Sequence, residues 1–261
     1  MIGRLPIAKM LAATIALTAA ISAVMVSINW DGQQASTAAP KIDTLLDVMI
    51  VLSAFVFSLV MVMLFYALWK FRAKPGDESD GEPIHGNTRL EVAWTVIPTI
   101  IVLFGAGYSW AVLADIEEPA ENPLTVQVFS QQFAWSFGYP GNAWSEGELH
   151  VPLDRQVHFK MHAQDVIHSF WVPEWRIKKD NVPGITTTAI VTPDKVGAYQ
   201  LICTELCGFG HSTMRAKVVV EPPAEFRKWV DGLEQEVPAP LAESIVQDTE
   251  TAPVQLGAGG A

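Results

Sequence analysis

Cysteine is scarce in this chain: two thiols among 261 residues, at positions 203 and 207. That scarcity excludes a disulfide-stapled scaffold and leaves room for one disulfide or one metal site. Other signals are missing altogether. No CxxCH run offers covalent haem attachment, no glycine-rich loop is placed to cradle a phosphate, and no internal repeat is visible. Positive charge is also short, with 17 Lys and Arg against 28 Asp and Glu and a formal net charge of −11. From Asp115 onward there are 20 acids and 10 bases, so nearly all of that charge lies in the second half. Such a surface repels anionic lipid and nucleic acid and attracts a cationic partner, unless its acids only keep the domain soluble.

What the chain has in quantity is apolar sequence. Half of its residues are hydrophobic and its mean hydropathy is positive, which points to membrane segments beside one domain of ordinary size. Three apolar runs stand out. The first, from about Leu11 to Trp30, follows Arg4 and Lys9 and fits either a signal peptide or a retained anchor. The second, within residues 44–72, ends on Lys70, Arg72 and Lys74. The third, residues 92–114, contains Pro98 and is followed by Asp115, Glu117, Glu118 and Glu121. Basic residues in the 70–91 connection and acidic ones after 114 place the connection in the cytoplasm and the second half outside. Asp47 and Glu91 fall near the two interfaces.

From Leu124 the hydropathy pattern changes to period two. LTVQVFS, QVHFKMH, ITTTAIVT, GAYQLICT and MRAKVVV alternate or are β-branched, with Pro, Gly, Asp and Asn between them. The pattern predicts a β-sandwich or barrel, then a short amphipathic helix over 224–236 and a disordered acidic tail. The expected division is 1–40 for the N-terminal apolar segment and linker, 41–114 for a transmembrane hairpin, 115–223 for the β-domain and 224–261 for helix and tail.

The chemistry is concentrated in CTELCGFGHSTM, residues 203–214. Two cysteines in an outside domain most simply pair as a disulfide, but a disulfide needs neither His211 nor Met214. Zinc would use the thiolates and imidazole and leave Met214 without a role. Thiolate, imidazole and a weak thioether at a strand–loop–strand junction are the ligand set of electron-transfer copper. One copper of that kind needs one Cys, two His and a Met, so the second thiol is either spare or bridges to a second copper. The missing imidazole is best supplied by His168 in DVIHSFWVP. On composition alone His168 reads as a core histidine; the need for a second ligand reverses that reading. His158 and His162 share a strand face with Lys160, opposite Val157, Phe159 and Met161, and read as surface residues; His150 sits beside a turn.

DVIHSFWVP, CTELCGFGHSTM and the membrane segment TRLEVAWTVIP together resemble subunit II of the haem–copper cytochrome c oxidases, over residues 44–221. The resemblance implies a two-helix membrane hairpin, with the first apolar run as an extra N-terminal helix if it is retained, bearing a cupredoxin-like sandwich with a dinuclear copper centre, CuA. It assigns His168, Cys203, Cys207, His211 and Met214 as ligands, with Glu205 giving its backbone carbonyl and its side chain reaching a magnesium or manganese site shared with the catalytic subunit. It also suggests that Glu91 lies near the entrance of a proton pathway. The implied partners are a haem-bearing catalytic subunit, further oxidase subunits, membrane lipid and a cationic cytochrome c-like donor, with the copper domain on the outer side of a bacterial plasma membrane. Two bridging thiolates spread one electron over two metals, and an apolar shell of Ile167, Phe170, Trp171 and Phe209 is expected to limit water.

One departure concerns where electrons arrive. The family's W-Y-W-S-Y run reads QFAWSFGYP here, so Phe133 stands at the position of the receiving Trp and Trp135 matches the second Trp. Trp135 is then expected to take over, with Trp144 and Trp171 as alternatives. Rival readings are a copper carrier or sensor, the CuA domain of another respiratory reductase, and a quinol oxidase subunit. The last has no need of the five side-chain ligands retained here.

Overall fold

In the computed structural model, residues 6–28, 30, 32–73, 75, 76, 83 and 85–233 are described. The expected acidic tail, and residues 234–236 of the expected helix, lie outside the described residues. The chain divides into two units, Met1–Trp30 with Ile42–Asp115, and Asp31–Lys41 with Ile116–Ala261.

The first unit holds three apolar helices: α1 (Ile7–Ser27), α2 (Ala39–Lys70) and α3 (Thr88–Ile116). Each is long and apolar enough to cross a membrane. At 1.5 Å per residue, α2 and α3 run to about 45 Å against a hydrocarbon core of about 30 Å. Most of their large apolar side chains are exposed, which in water would be prohibitive and in lipid is the solvated state. Gly105 of α3 faces Met49 of α2, and a Cβ there would lie in ordinary contact, 3.7 Å from Met49 Sδ. Pro98 sits inside α3, where neighbouring polar groups in a membrane helix tolerate it. Asn87 caps α3, its Oδ1 accepting from the backbone N–H of Arg89 at 3.1 Å and Leu90 at 3.3 Å. Glu91 closes the same cap by accepting from Asn87 N–H at 3.2 Å.

The second unit is a sandwich of two five-stranded sheets. One has the order β3 (Ala143–Glu146), β2 (Ala134–Tyr139), β1 (Leu124–Gln131), β5 (Val157–Ala163), β8 (Thr187–Val191). The other runs β4 (Glu148–Pro152), β10 (Arg215–Glu221), β9 (Gly197–Cys203), β6 (His168–Val172), β7 (Ile177–Asn181). Alternation decides which side chains enter the core. Val157, Phe159 and Met161 of β5 are fully buried, while the intervening Lys160 is exposed and His158 and His162 are half-buried. On β10, Ala216, Val218 and Val220 point inward.

Two polar ties close the sandwich. Tyr139 on β2 reaches His150 on β4, its hydroxyl accepting from the His150 N–H at 2.8 Å and donating to its carbonyl at 3.0 Å. Burial pushes the Tyr139 phenol far above its ordinary range, keeping it a neutral donor. At the other end, Asn181 Nδ2 on β7 donates to Ser130 Oγ on β1 at 3.2 Å, both residues being buried. The short helix α4 (Pro223–Asp231) buries Phe226 and stacks Trp229 on the His150 ring, 3.7 Å between centroids and 8° between planes. His150 Nδ1 also meets Glu221 at 2.9 Å. The sequence places His150 beside a turn; the structure makes it the seat of the C-terminal helix.

Residues 32–39, expected as part of a linker, instead form a strap on the sandwich. Ala35 N–H donates to the Glu174 carbonyl at 2.8 Å and Thr37 N–H to the Thr192 carbonyl at 3.0 Å. Ser36 Oγ donates to the Trp175 carbonyl at 2.9 Å, and Ala35, Ser36 and Ala39 are fully buried. A strap that precedes α2 and a sandwich that follows α3 must share one side of any membrane these helices cross, so the crossings between them are even in number. The alternation of charge at the helix ends leads to the same topology.

Candidate metal centre

The strands bring the predicted donors to one end of the sandwich. His168 opens β6, Cys203 ends β9, and Met214 immediately precedes β10. The loop between them is closed at its base, Cys203 N–H donating to the Met214 carbonyl at 3.1 Å. A single 3-10 turn, His211–Thr213, fixes its far half, with His211 N–H bonded to the Gly208 carbonyl at 3.1 Å. Thr204 N–H donates to the Ser169 carbonyl at 3.2 Å and ties the loop to β6 beside His168.

Within this frame Cys203 Sγ lies 3.9 Å from Cys207 Sγ and 3.9 Å from His168 Nδ1. Cys207 Sγ lies 3.7 Å from His211 Nδ1 and 3.8 Å from Met214 Sδ. The Glu205 carbonyl is 3.4 Å from Cys203 Sγ, and its side chain is exposed. Donor atoms of His168, Cys203 and Cys207 all fall within 4.8 Å of one another. All six residues named from the sequence are therefore brought together. Both cysteines are free and buried. Their 3.9 Å separation is well beyond the S–S bond of about 2.05 Å. It is shorter than two metal–thiolate bonds of about 2.3 Å end to end, so both sulfurs fit around a shared metal.

Electrostatics prepares the thiols for metal. Burial alone would raise the Cys203 thiol, but hydrogen bonding with His168 and the backbone at Ser169 and Glu205 outweighs it and brings it to about 6. Burial and the neighbouring Cys203 thiolate push Cys207 up to about 11. One thiolate therefore stands ready at neutral pH, and the second forms as metal displaces its proton. The His168 ring is oriented from behind: Nε2 meets Asp165 Oδ1 at 2.8 Å, which leaves Nδ1 as the metal-facing nitrogen.

Gln132 is the site residue that the motifs do not announce, and Asp165, which opens DVIHSFWVP, gains its role from the structure. Asp165 Oδ1 also accepts from Val166 N–H at 2.7 Å, and Oδ2 from Gln132 N–H at 2.7 Å. Gln132 Nε2 donates to the Cys207 carbonyl at 2.5 Å. Only the polar turn between β1 and β2 hints at Gln132 in the sequence, whereas Asp165 stands in the DVIHSFWVP run three residues before His168.

The expected apolar shell needs correction. Phe170 is buried as anticipated, but Phe209 is fully exposed, Ile167 is exposed and Trp171 only half-buried. The positive φ of Gly208, 133°, and the close seating of Gly210 turn the loop so that Phe209 faces solvent. Cover comes instead from Trp135, edge-on to His168 at 6.2 Å and to Phe170 at 6.0 Å. Phe133 packs over the glycines: a Cβ on Gly210 would come within 2.6 Å of its ring. Trp135 is 1% exposed and Phe133 39%, so only Phe133 of these two reaches the surface.

The chain is similar to known proteins. Residues 12–112 match the family profile described as cytochrome c oxidase subunit II, transmembrane domain, and residues 144–222 the one described as its periplasmic domain. Cytochrome c oxidase subunit 2 of Synechocystis is 34% identical over 82% of this chain and 81% of that protein. The same subunit of Thermostichus vulcanus is 32% identical over 88% of each. The crystal structure of the periplasmic domain of subunit II of cytochrome oxidase from Bradyrhizobium japonicum is 27% identical, covering 44% of this chain and 95% of that one at a TM-score of 0.42. The chain belongs to the cytochrome c oxidase subunit II family.

Proposed function

We propose that this chain is the electron-receiving subunit of a terminal oxidase and that its site holds a dinuclear copper centre of the CuA type. The observation that carries the reading is the pair of free, buried thiols 3.9 Å apart inside a set that includes imidazole and thioether. His168, Cys203, Cys207, His211 and Met214 would hold the metals through side chains and Glu205 through its carbonyl. When bound, the centre supplies a one-electron relay shared between two metals. The chain's part is to orient His168 through Asp165, to keep both sulfurs in one register, and to exclude water with Trp135 and Phe170.

Electrons would come from a cationic cytochrome c-like donor, drawn by the acidic balance of the second half, and pass to haem in a catalytic subunit that reduces oxygen to water. Phe133 offers the surface approach, because it is exposed while Trp135 is buried in the core. The exposed Glu205 carboxylate would meet magnesium or manganese at the catalytic subunit, and Glu91 would lie at a proton entrance there. The test is metal analysis and electron paramagnetic resonance of the full chain, purified in detergent and loaded with copper. Two coppers per chain with one electron shared equally supports the reading; a mononuclear spectrum rejects it.

A further inference from the structure

We propose that Gln132 is a positioning residue for the metal centre: the turn it shares with Phe133 clasps the two ligand-bearing loops together and sets the spacing of their donors. The inference rests on the dinuclear reading above and extends it to residues outside the ligand motif.

The argument begins with connectivity. The ligands come from two segments, His168 from the β5–β6 side and Cys203, Cys207, His211 and Met214 from the β9–β10 loop. The base of that loop is tied to β6 through Thr204 and Ser169, and its tip, residues 206–210, belongs to no strand. Gln132 bonds to both segments at once. Its backbone N–H is bound to Asp165, the carboxylate that orients His168, and its side-chain amide is bound to the Cys207 carbonyl. The short chain Cys207–Gln132–Asp165–His168 thus links a sulfur ligand on one segment to an imidazole ligand on the other.

Packing reinforces the same contact. A Cβ on Gly208 would lie 2.8 Å from Gln132 Nε2 and 3.2 Å from the Phe133 ring, and one on Gly210 would lie 2.6 Å from that ring. The loop therefore needs both glycines in order to lie under the turn. A bond to the carbonyl of a metal-bound residue also polarises that residue's backbone, which gives Gln132 a lever on the potential as well as on geometry.

The test uses the full chain in detergent. Gln132→Met keeps length and bulk and removes the donor. The expected result is a loss of roughly 10–100-fold in copper affinity, the range typical of partners that orient metal ligands. Hyperfine coupling should become unequal, and amide exchange over residues 206–212 should speed up in the metal-free chain, with its thermal midpoint unchanged. Gly210→Ala is a second variant; φ at Gly210 is −90°, which alanine adopts freely, so only the Phe133 contact is affected. It should reproduce that signature with Gln132 intact. Unchanged exchange and affinity in both variants would overturn the proposal, as would lost thermal stability with affinity intact. A wild-type chain that fails to take two coppers would remove the dinuclear reading instead, and the exchange comparison, which needs no metal, would still decide the clasp.

Discussion

Cys203 and Cys207 keep their sulfurs 3.9 Å apart, close enough to share metals and too far for a bond between them. The carbonyl of Glu205, between them in sequence, approaches Cys203 Sγ at 3.4 Å. Cys207→Ser removes one of the two sulfurs while keeping the loop's size. Copper content should fall from two to at most one per chain, and the resonance of a shared electron should vanish. Retention of two coppers with the original spectrum would show that the sulfurs do not bridge. A count of two reactive thiols in unfolded, metal-free chain prepared without reductant checks that no disulfide forms.

Topology follows from the charge at the helix ends and from the buried strap. Cysteines introduced at His85 and at Glu146, both exposed, should respond oppositely to an impermeant thiol reagent in intact cells. The one at 146 should react and the one at 85 should not, with the native pair held in the buried site. Labelling at 85 alone would place the metal domain on the cytoplasmic face.

Electron arrival separates Phe133 from Trp135. Phe133→Ala should slow oxidation of a reduced cationic cytochrome by the assembled complex with copper content unchanged. Trp135→Ala should act mainly on the fold, costing about 3–5 kcal/mol for a buried aromatic and loosening copper with it. Stopped-flow rates beside copper analysis distinguish the two. The rate should also fall as salt rises and the Debye length shrinks below about 10 Å. A rate indifferent to salt would leave the acids a solubilising role only.

Ser36 anchors the strap with a buried bond to the Trp175 carbonyl. Ser36→Ala leaves that carbonyl without its partner, and the expected loss is about 1–3 kcal/mol in the stability of the outer domain. Denaturation followed by tryptophan fluorescence reads it directly. An unchanged midpoint would mean that the Ser36 hydroxyl adds nothing to the strap's hold.

What could be read in advance divides along physical lines. The β-strands were legible because one face of each is buried, which imposes period two; β5 shows it in Val157, Phe159 and Met161. The ligand loop was legible because thiolate, imidazole and thioether in one short run satisfy few chemistries. The strap escaped because it binds through backbone groups of Ala35 and Thr37, which any residue carries, and through one serine hydroxyl, which has many uses. Gln132 escaped for a related reason: an amide has many uses, and only the fold brings it beside Cys207. Phe209 was misplaced because a run between glycines has no periodicity to say which way its side chain turns.

The strap gives the outer domain an assembly order. Ser36 and its partner Trp175 are 139 positions apart, with two membrane helices in between. The strap emerges from the ribosome first and finds its seat only after residues 174–194 have been made and carried across. Closing so long a loop is a modest entropic burden, since each doubling of length adds only about 0.6 kcal/mol. Its cost is mainly one of waiting: Ala35 and Ser36 remain uncovered until α2 and α3 have both inserted. A chain whose third helix stalls leaves strap and sandwich on opposite faces, and its β-domain stays short of one buried segment. Completion of the fold thereby reports that the membrane was crossed the correct number of times.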